Sequence, residues 1–252
     1  MHSANRFSRA FYRSISPRSL RAAESIAPLL NRYLAATSVV DFGCGTGTWL
    51  KAFRANGALS LLGLDQLDPS QAELAIRPEE YRRVDLTRDL PLERSYDLAL
   101  CLEVGEHLPP AASRTLVRNL VRASRRVVFS AATPGQGGVD HVNERPLEHW
   151  VALFADEGYA ASDFIRAALA AEKAISAEPW YRYNTLFFFH PADGPALPAY
   201  VLQHLVADPG RLSACVPFFW RLRCALVGLL PVPAATFLAN CKHNLNSLLK
   251  YP

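Results

Sequence analysis

No two cysteines in this chain are spaced C-x-x-C, and the five present, at positions 44, 101, 215, 224 and 241, are odd in number. Such a set gives neither a disulfide framework nor a thiolate metal site. Cys44 and Cys101 fall in or beside apolar runs, where a thiol behaves as a small hydrophobe. A stripe of one charge is also missing. The net charge is +4, and the basic residues come only in short pairs such as Arg82-Arg83 and Arg125-Arg126. Nothing in that pattern tracks a phosphate backbone, so no nucleic-acid partner is expected; mild basicity favours an anionic small substrate. The opening segment, MHSANRFSRAFYRSISPRS, lacks the continuous apolar stretch of a secretory signal, and a cytoplasmic location is the expectation. Internal repeats and low-complexity tracts are absent from the sequence.

What is present is a globular composition: 252 residues, half of them hydrophobic and one-fifth charged. That length suits one domain of generous size with an appendage. Ser16-Pro17 reads as a helix start, followed by apolar residues at helical spacing, with Pro28 expected to kink or split the helix. Short apolar runs then alternate with amphipathic ones. Strands are expected at Ser38–Phe42, Leu59–Leu64, Tyr81–Leu86, Tyr96–Leu102 and Arg126–Ala131. Helices are expected around Thr48–Asn56, Pro69–Ile76, Ala111–Ala123 and Pro146–Glu157. This alternation predicts an α/β fold of three layers, a mainly parallel sheet covered on both faces. Two more strands, near Tyr159–Arg166 and Tyr183–His190, lack a clear crossover helix and read as an antiparallel pair on the edge.

The segment Val39–Leu50, VVDFGCGTGTWL, is a strand, a glycine-rich turn and a helix start. Glycines allow a backbone to approach a ligand closely, and a helix N-terminus offers unpaired N–H groups. In the dinucleotide fingerprint G-x-G-x-x-G/A the third small residue comes later; here Gly47 is one position early and Thr48 stands where it would fall. The spacing D-x-G-x-G-x-G over Asp41, Gly43, Gly45 and Gly47 favours S-adenosylmethionine over NAD. Asp65 ends the second strand, where a carboxylate can accept both ribose hydroxyls, and Gln66 follows it. Asp85, at the end of the third strand beside Leu86, is placed to accept from an adenine amino group. Leu102, ending the fourth strand, completes the expected cofactor-binding set. Signals at three consecutive strand ends agree because ligands of open α/β sheets bind along that edge.

With these residues the chain resembles the class I, Rossmann-like methyltransferases. More closely it resembles a bacterial group associated with sugar, polysaccharide and secondary-metabolite pathways. The stretches that carry this are FYRSISPRSLRAAE, VVDFGCGTGTWL, LEVGEHLP, FSAATPGQGGVDHVNERP and PWYRYNTLFFF, over roughly residues 10–190. The resemblance implies a seven-stranded sheet, bound adenosylmethionine and transfer to a small acceptor.

A sulfonium methyl is already activated, so a transferase has mainly to align an acceptor lone pair and exclude water; a hydroxyl acceptor also needs a base or a metal. The loops after strands four and five offer Glu103, Glu106 and His107, then Asp140, His141, Asn143 and Glu144. Glu103, Glu106, His107 and His141 resemble the metal-binding set of small-RNA 2′-O-methyltransferases and some quinone O-methyltransferases, and such mixed ligation suits Mg²⁺ or Mn²⁺. His141, with His107 and Glu144, also reads as a metal-free catalytic set, and proximity alone is the third reading. Trp49, Phe53, Trp150 and Phe154 read as core; Trp180 and Tyr181 are placed to stack on a substrate; Phe11 and Tyr12 are placed as a lid. His149, His190, His204 and His243 match no constellation.

The resulting organisation is an N-terminal helical lid over 1–36, a methyltransferase domain over 37–190 and a helical C-terminal extension over 191–252. Val216–Ala239 is almost wholly apolar but is broken by Pro231, Pro233, Arg221 and Arg223, which argues against a membrane span. It is expected to cap the domain, to meet a second subunit, or to lie on a membrane surface. The function expected is O-methylation of a small molecule such as a sugar or secondary metabolite. A nicotinamide oxidoreductase and a non-catalytic adenosylmethionine-binding protein are the alternatives.

Overall fold

The computed structural model describes residues 9–171 and 179–248. Helix α1 (Arg9–Leu34) leads into strand β1 (Ser38–Phe42), helix α2 (Thr48–Ala55), and strands β2 (Ser60–Asp65) and β3 (Tyr81–Arg83). Strand β4 (Leu98–Leu102), helix α3 (Ser113–Ala123), strand β5 (Arg126–Ser130) and helix α4 (Leu147–Asp156) follow. Then come β6 (Ala160–Ser162), α5 (Phe164–Ala171), α6 (Pro179–Asn184), β7 (Leu186–Phe189), α7 (Ala199–Gln203), α8 (Phe218–Val227) and α9 (Val232–Leu248).

The seven strands form one sheet in the order β3-β2-β1-β4-β5-β7-β6. All neighbours from β3 to β5 are parallel, and β7 runs antiparallel to both β5 and β6. This is the Rossmann-like methyltransferase sheet, with the antiparallel pair at one edge as expected. The order reverses between β1 and β4, so chains leaving these strands turn to opposite sides and open a crevice at their C-terminal ends.

Burial on both sheet faces explains why the central strands are continuous apolar runs. One core joins α1, α2, α5 and α7 to one face; the other joins α3 and α4 to the opposite face. Helix α3 presents Leu116, Val117, Leu120 and Ala123 inward, a helical stripe beneath an otherwise polar surface. Trp150 and Phe154 are fully buried in α4, and Phe154 stacks on Phe188 at a 3.8 Å ring separation.

Several sequence expectations need correction. Helix α1 does not start at Ser16-Pro17 but runs unbroken through Pro17 and Pro28. Its buried face of Ala23, Ile26, Ala27, Leu30 and Leu34 supplies the packing that overrides the proline signals. The expected helix over Pro69–Ile76 is only a 3₁₀ turn, Pro69–Gln71. There Asp68 accepts from the Ser70 N–H, and Ala75 N–H donates to Thr46 O, which draws the chain across the glycine loop. The segment between β6 and β7, expected to lack a crossover helix, carries α5 and α6. Asp163 starts α5, accepting from the Ala167 N–H and pairing with Arg166.

The stretch over 191–198 does not separate a detached unit. Leu197, Val201 and Leu212 are buried in the two cores described above. Among the described residues, no single helix is long and apolar enough to cross a membrane, although α8 and the first part of α9 pass that test together across a 118° bend. The side chain of His243 lies outside the described residues.

Candidate active site

A cavity of about 1170 Å³ opens along the C-terminal edge of the sheet. Its floor is the turn after β1. Gly43 has φ +82°, and a Cβ there would lie 2.3 Å from Val104 Cγ2, so only glycine fits between the two loops. The turn is closed by Asp65, whose two oxygens accept from the Gly45 N–H at 2.7 Å and the Leu67 N–H at 2.9 Å. Burial raises the Asp65 pKa, and these backbone donors partly offset the rise. A carboxylate has further lone pairs beyond these two, and Asp65 lines the cavity.

Gln66, Asp85, Leu86 and Leu102 line the same part of the cavity. Asp85 is exposed, accepts from the Thr87 N–H and Oγ1, and pairs with Arg88, contacts that hold its carboxyl below the usual range. Asp41 and Gly47 do not line the cavity. Gly47 caps α2 and packs on Ile76, while Asp41 is buried beneath the turn with Oδ2 unpartnered. Burial, with Asp65 nearby, pushes the Asp41 pKa from 3.8 to about 8. Between those values the folded chain holds a proton that the unfolded chain has released, so stability falls as pH rises from about 4 to about 8. Urea denaturation of Asp41→Asn at pH 5 and pH 8 should show a smaller loss than the parent chain shows.

Helix α1 roofs this half. Phe11 and Tyr12 line the cavity, and Tyr12 packs against Gly45. Ser16 and Ser19 hydroxyls hydrogen-bond those of Thr46 and Thr48, which ties the roof to the glycine turn. Trp180 and Tyr181 also reach the cavity, with Arg18 over the Trp180 ring. Trp49 is buried in the core and yet reaches the lining, so the core reading is only half of its role.

The other half is built by the loops after β4 and β5. Asn143, buried, donates to Gly105 O and Ser113 Oγ, while the Val142 and Asn143 N–H groups donate to Glu106 O. These bonds clamp GEH against HVN. They bring the His107 and His141 rings to 4.9 Å, nearly perpendicular. One oxygen of Glu106 and one nitrogen from each histidine lie within 4.8 Å of one another. Glu106 is fully buried and neither of its oxygens has a hydrogen-bond partner. Burial, and then the nearby Glu103 charge, raise its pKa well above normal.

Glu103 does not join that group. Its carboxylate accepts from Gln136 Nε2 at 2.8 Å and Asn184 Nδ2 at 3.3 Å, and Asn184 also donates to Gln136 Oε1. Of the four expected metal ligands, three converge. Glu144 does not line the cavity. It accepts from the Gly135 and Gly137 N–H groups and sits 2.8 Å from His141 Nδ1. Burial would raise its pKa, but the His141 contact and these N–H groups hold it below normal. Asp140, with φ +56°, lends its carbonyl to His107 Nδ1 at 3.4 Å.

Sequence reasoning missed Gln136, Asn184, Trp220 and Arg223. Arg223 Nη1 donates to Gln136 O at 2.8 Å and its guanidinium lies over the Trp220 ring. Both residues line the cavity with Val227, Ala235 and Leu238, so α8 and α9 wall the His141 end. Only the PGQGG glycines hinted at this: a Cβ on Gly135 would lie 2.0 Å from Cys224 O, and one on Gly137 would lie 2.7 Å from Val227.

A reversed-order seven-stranded sheet with a glycine turn after β1 and acids after β2 and β3 defines the class I methyltransferase fold. A family described as a methyltransferase domain matches residues 12–174, and the chain belongs to that family. Over 134 residues it is 28% identical to the ubiquinone biosynthesis O-methyltransferase of Acinetobacter baylyi, covering 49% of this chain and 51% of that one. The protein of the same description from Pseudomonas savastanoi pv. phaseolicola is 29% identical over 136 residues, 49% of this chain and 52% of that one. The chain thus spans about half the length of the curated relatives it matches. Among solved structures, the sugar N-methyltransferase KedS8 of Streptoalloteichus superposes with a TM-score of 0.51 at 16% identity, over 71% of this chain and 91% of that one. This last likeness is one of fold.

Proposed function

We propose that the chain transfers a methyl group from S-adenosylmethionine to a hydroxyl of a small acceptor. The observation that carries this reading is one cavity lined at one end by Gly43, Gly45 and Asp65 and at the other by Glu106, His107 and His141. The cradle that a Cβ at Gly43 would fill, and the buried Asp65 carboxylate above it, fit a nucleoside with an anionic and a hydroxylated end. When bound, adenosylmethionine supplies an electrophilic methyl on a sulfonium. Tyr12 and α1 exclude water from that end. Trp180 and Trp220 offer flat faces against which an acceptor orients.

Glu144 accepting at Nδ1 leaves His141 Nε2 as the basic nitrogen. Nε2 is placed to take the acceptor's hydroxyl proton, with Glu144 beside the ring; the bound donor would give its methyl to that oxygen, keep the C–S bonding pair on sulfur and leave as adenosylhomocysteine. Gly138 packs so closely on this ring that a Cβ there would lie 2.1 Å from Nε2. Gly138→Ala should therefore lower turnover about 100-fold by displacing the ring. Adenosylhomocysteine affinity should stay within about twofold on that account, and steady-state kinetics with calorimetry separate the two effects.

A second reading is favoured by Glu106. A fully buried carboxylate with both oxygens unpartnered, beside two imidazoles, fits a divalent cation of the Mg²⁺ or Mn²⁺ type. When bound, such a cation would acidify the acceptor hydroxyl. Label transfer from methyl-tritiated donor to a panel of sugar and phenol hydroxyls tests the function; retention of all label on the donor across the panel overturns it. Activity lost in EDTA, with a calorimetric Mn²⁺ site absent from Glu106→Gln, selects the cation. Full activity in EDTA selects His141 alone.

A further inference from the structure

The α8–α9 hairpin leaves its outward face bare. Phe219 and Leu229 are each 81% exposed, and Phe218, Leu226, Val232 and Phe237 are more than half exposed. The inward face is committed, through Arg223 to Gln136 and through Cys224 and Val227 to the glycines at 135 and 137. The hairpin is therefore an amphipathic wall, with the acceptor end of the cavity on one side and an unpartnered apolar surface on the other.

Charge says what covers it. After Asp208 the sequence has no acidic residue, while Arg211, Arg221, Arg223, Lys242 and Lys250 follow. Arg221 is exposed between Phe219 and Leu222. A second copy seated on this face would bring Arg221 toward its own image with no acidic residue of the hairpin to pair it, because a two-fold interface pairs a patch with itself. An anionic lipid surface meets both features at once, apolar side chains below the headgroups and cations among them. Ten-residue α8 reaches about 15 Å, half a bilayer core of about 30 Å, and the chain bends by 118° between it and the first part of α9, a shape suited to lying along a surface.

We propose that this hairpin docks the chain on anionic membranes and opens the acceptor end of the cavity at headgroup level, so that the acceptor is an amphiphile whose hydroxyl head enters from the bilayer. The acceptor clause rests on the function proposed above; the docking clause does not. The 252-residue chain is co-sedimented with phosphatidylcholine vesicles, with and without phosphatidylglycerol, alongside Phe219→Ser/Leu229→Ser. Neither residue lines the cavity. Binding to the phosphatidylglycerol vesicles should exceed that to neutral vesicles at least tenfold, weaken with added salt and fall at least tenfold in the double variant. Adenosylhomocysteine affinity, read by calorimetry on the same preparations, should not change.

No vesicle binding, equal binding to neutral vesicles, or undiminished binding by the double variant overturns the docking. A concentration-dependent dimer by sedimentation that the variant disperses, without vesicle binding, assigns the face to a second copy instead. Docking with loss of label transfer to every acceptor tested, amphiphilic ones included, overturns the acceptor clause alone.

Discussion

His141→Ala should lose between about 10² and 10⁴ in turnover while adenosylhomocysteine binds as before. The imidazole lines the acceptor end of the cavity, with Glu144 at Nδ1 and Gly138 close against Nε2. Its removal takes away a proton acceptor, or a cation ligand, without touching the glycine turn. Glu144→Gln is the informative companion. It keeps a side chain of the same shape beside Nδ1 but removes the carboxylate charge, and that costs about 1.5–3 kcal/mol for a hydrogen bond to a charged group. Turnover should fall about tenfold or more. An equal loss from Glu144→Gln whether position 141 is His or Ala would make Glu144 a support for the 135–137 backbone only.

Asp65→Ala should weaken adenosylhomocysteine binding by about 100-fold or more. The change removes the acceptor for the Gly45 and Leu67 N–H groups, and each unsatisfied buried donor costs about 1–3 kcal/mol. It also removes the carboxylate placed to accept ribose hydroxyls. Asp85→Ala should cost far less, because Asp85 is exposed and its carboxylate is already engaged by Thr87 and Arg88. Calorimetry on the two variants separates them; equal losses would mean that Asp65 matters only for the shape of the turn.

The sheet was legible because its strands are buried on both faces and so read as apolar runs between helical patterns. Strand β1 and the start of α2 fall where Asp41 to Thr48 put them. The Pro69–Ile76 helix failed for a tertiary reason: Ile76 is pulled under Gly47 and Gly63, and the Ala75 N–H finds Thr46 rather than a helical partner. The unbroken α1 is the same lesson with the opposite sign, local proline signals overridden by a buried stripe. At the site, His107 and His141 were legible as a pair because two motifs sit on neighbouring loops. Glu103 was grouped with them by the E-x-x-E-H spacing and the resemblance that spacing carries. Gln136 and Asn184, far apart in sequence, claim its carboxylate, and no spacing rule reaches across 48 residues. Arg223 and Trp220 were hidden by an apolar stretch whose pattern fits a cap, a subunit contact and a membrane face alike.

Whether the glycine turn holds an adenosyl sulfonium ligand is the claim on which the rest depends. Calorimetric titration of the full chain with adenosylhomocysteine and, separately, with NAD tests it directly. One saturable site for adenosylhomocysteine, lost in Asp65→Ala and absent for NAD, is the expected result. Binding of NAD with no heat from adenosylhomocysteine would contradict it.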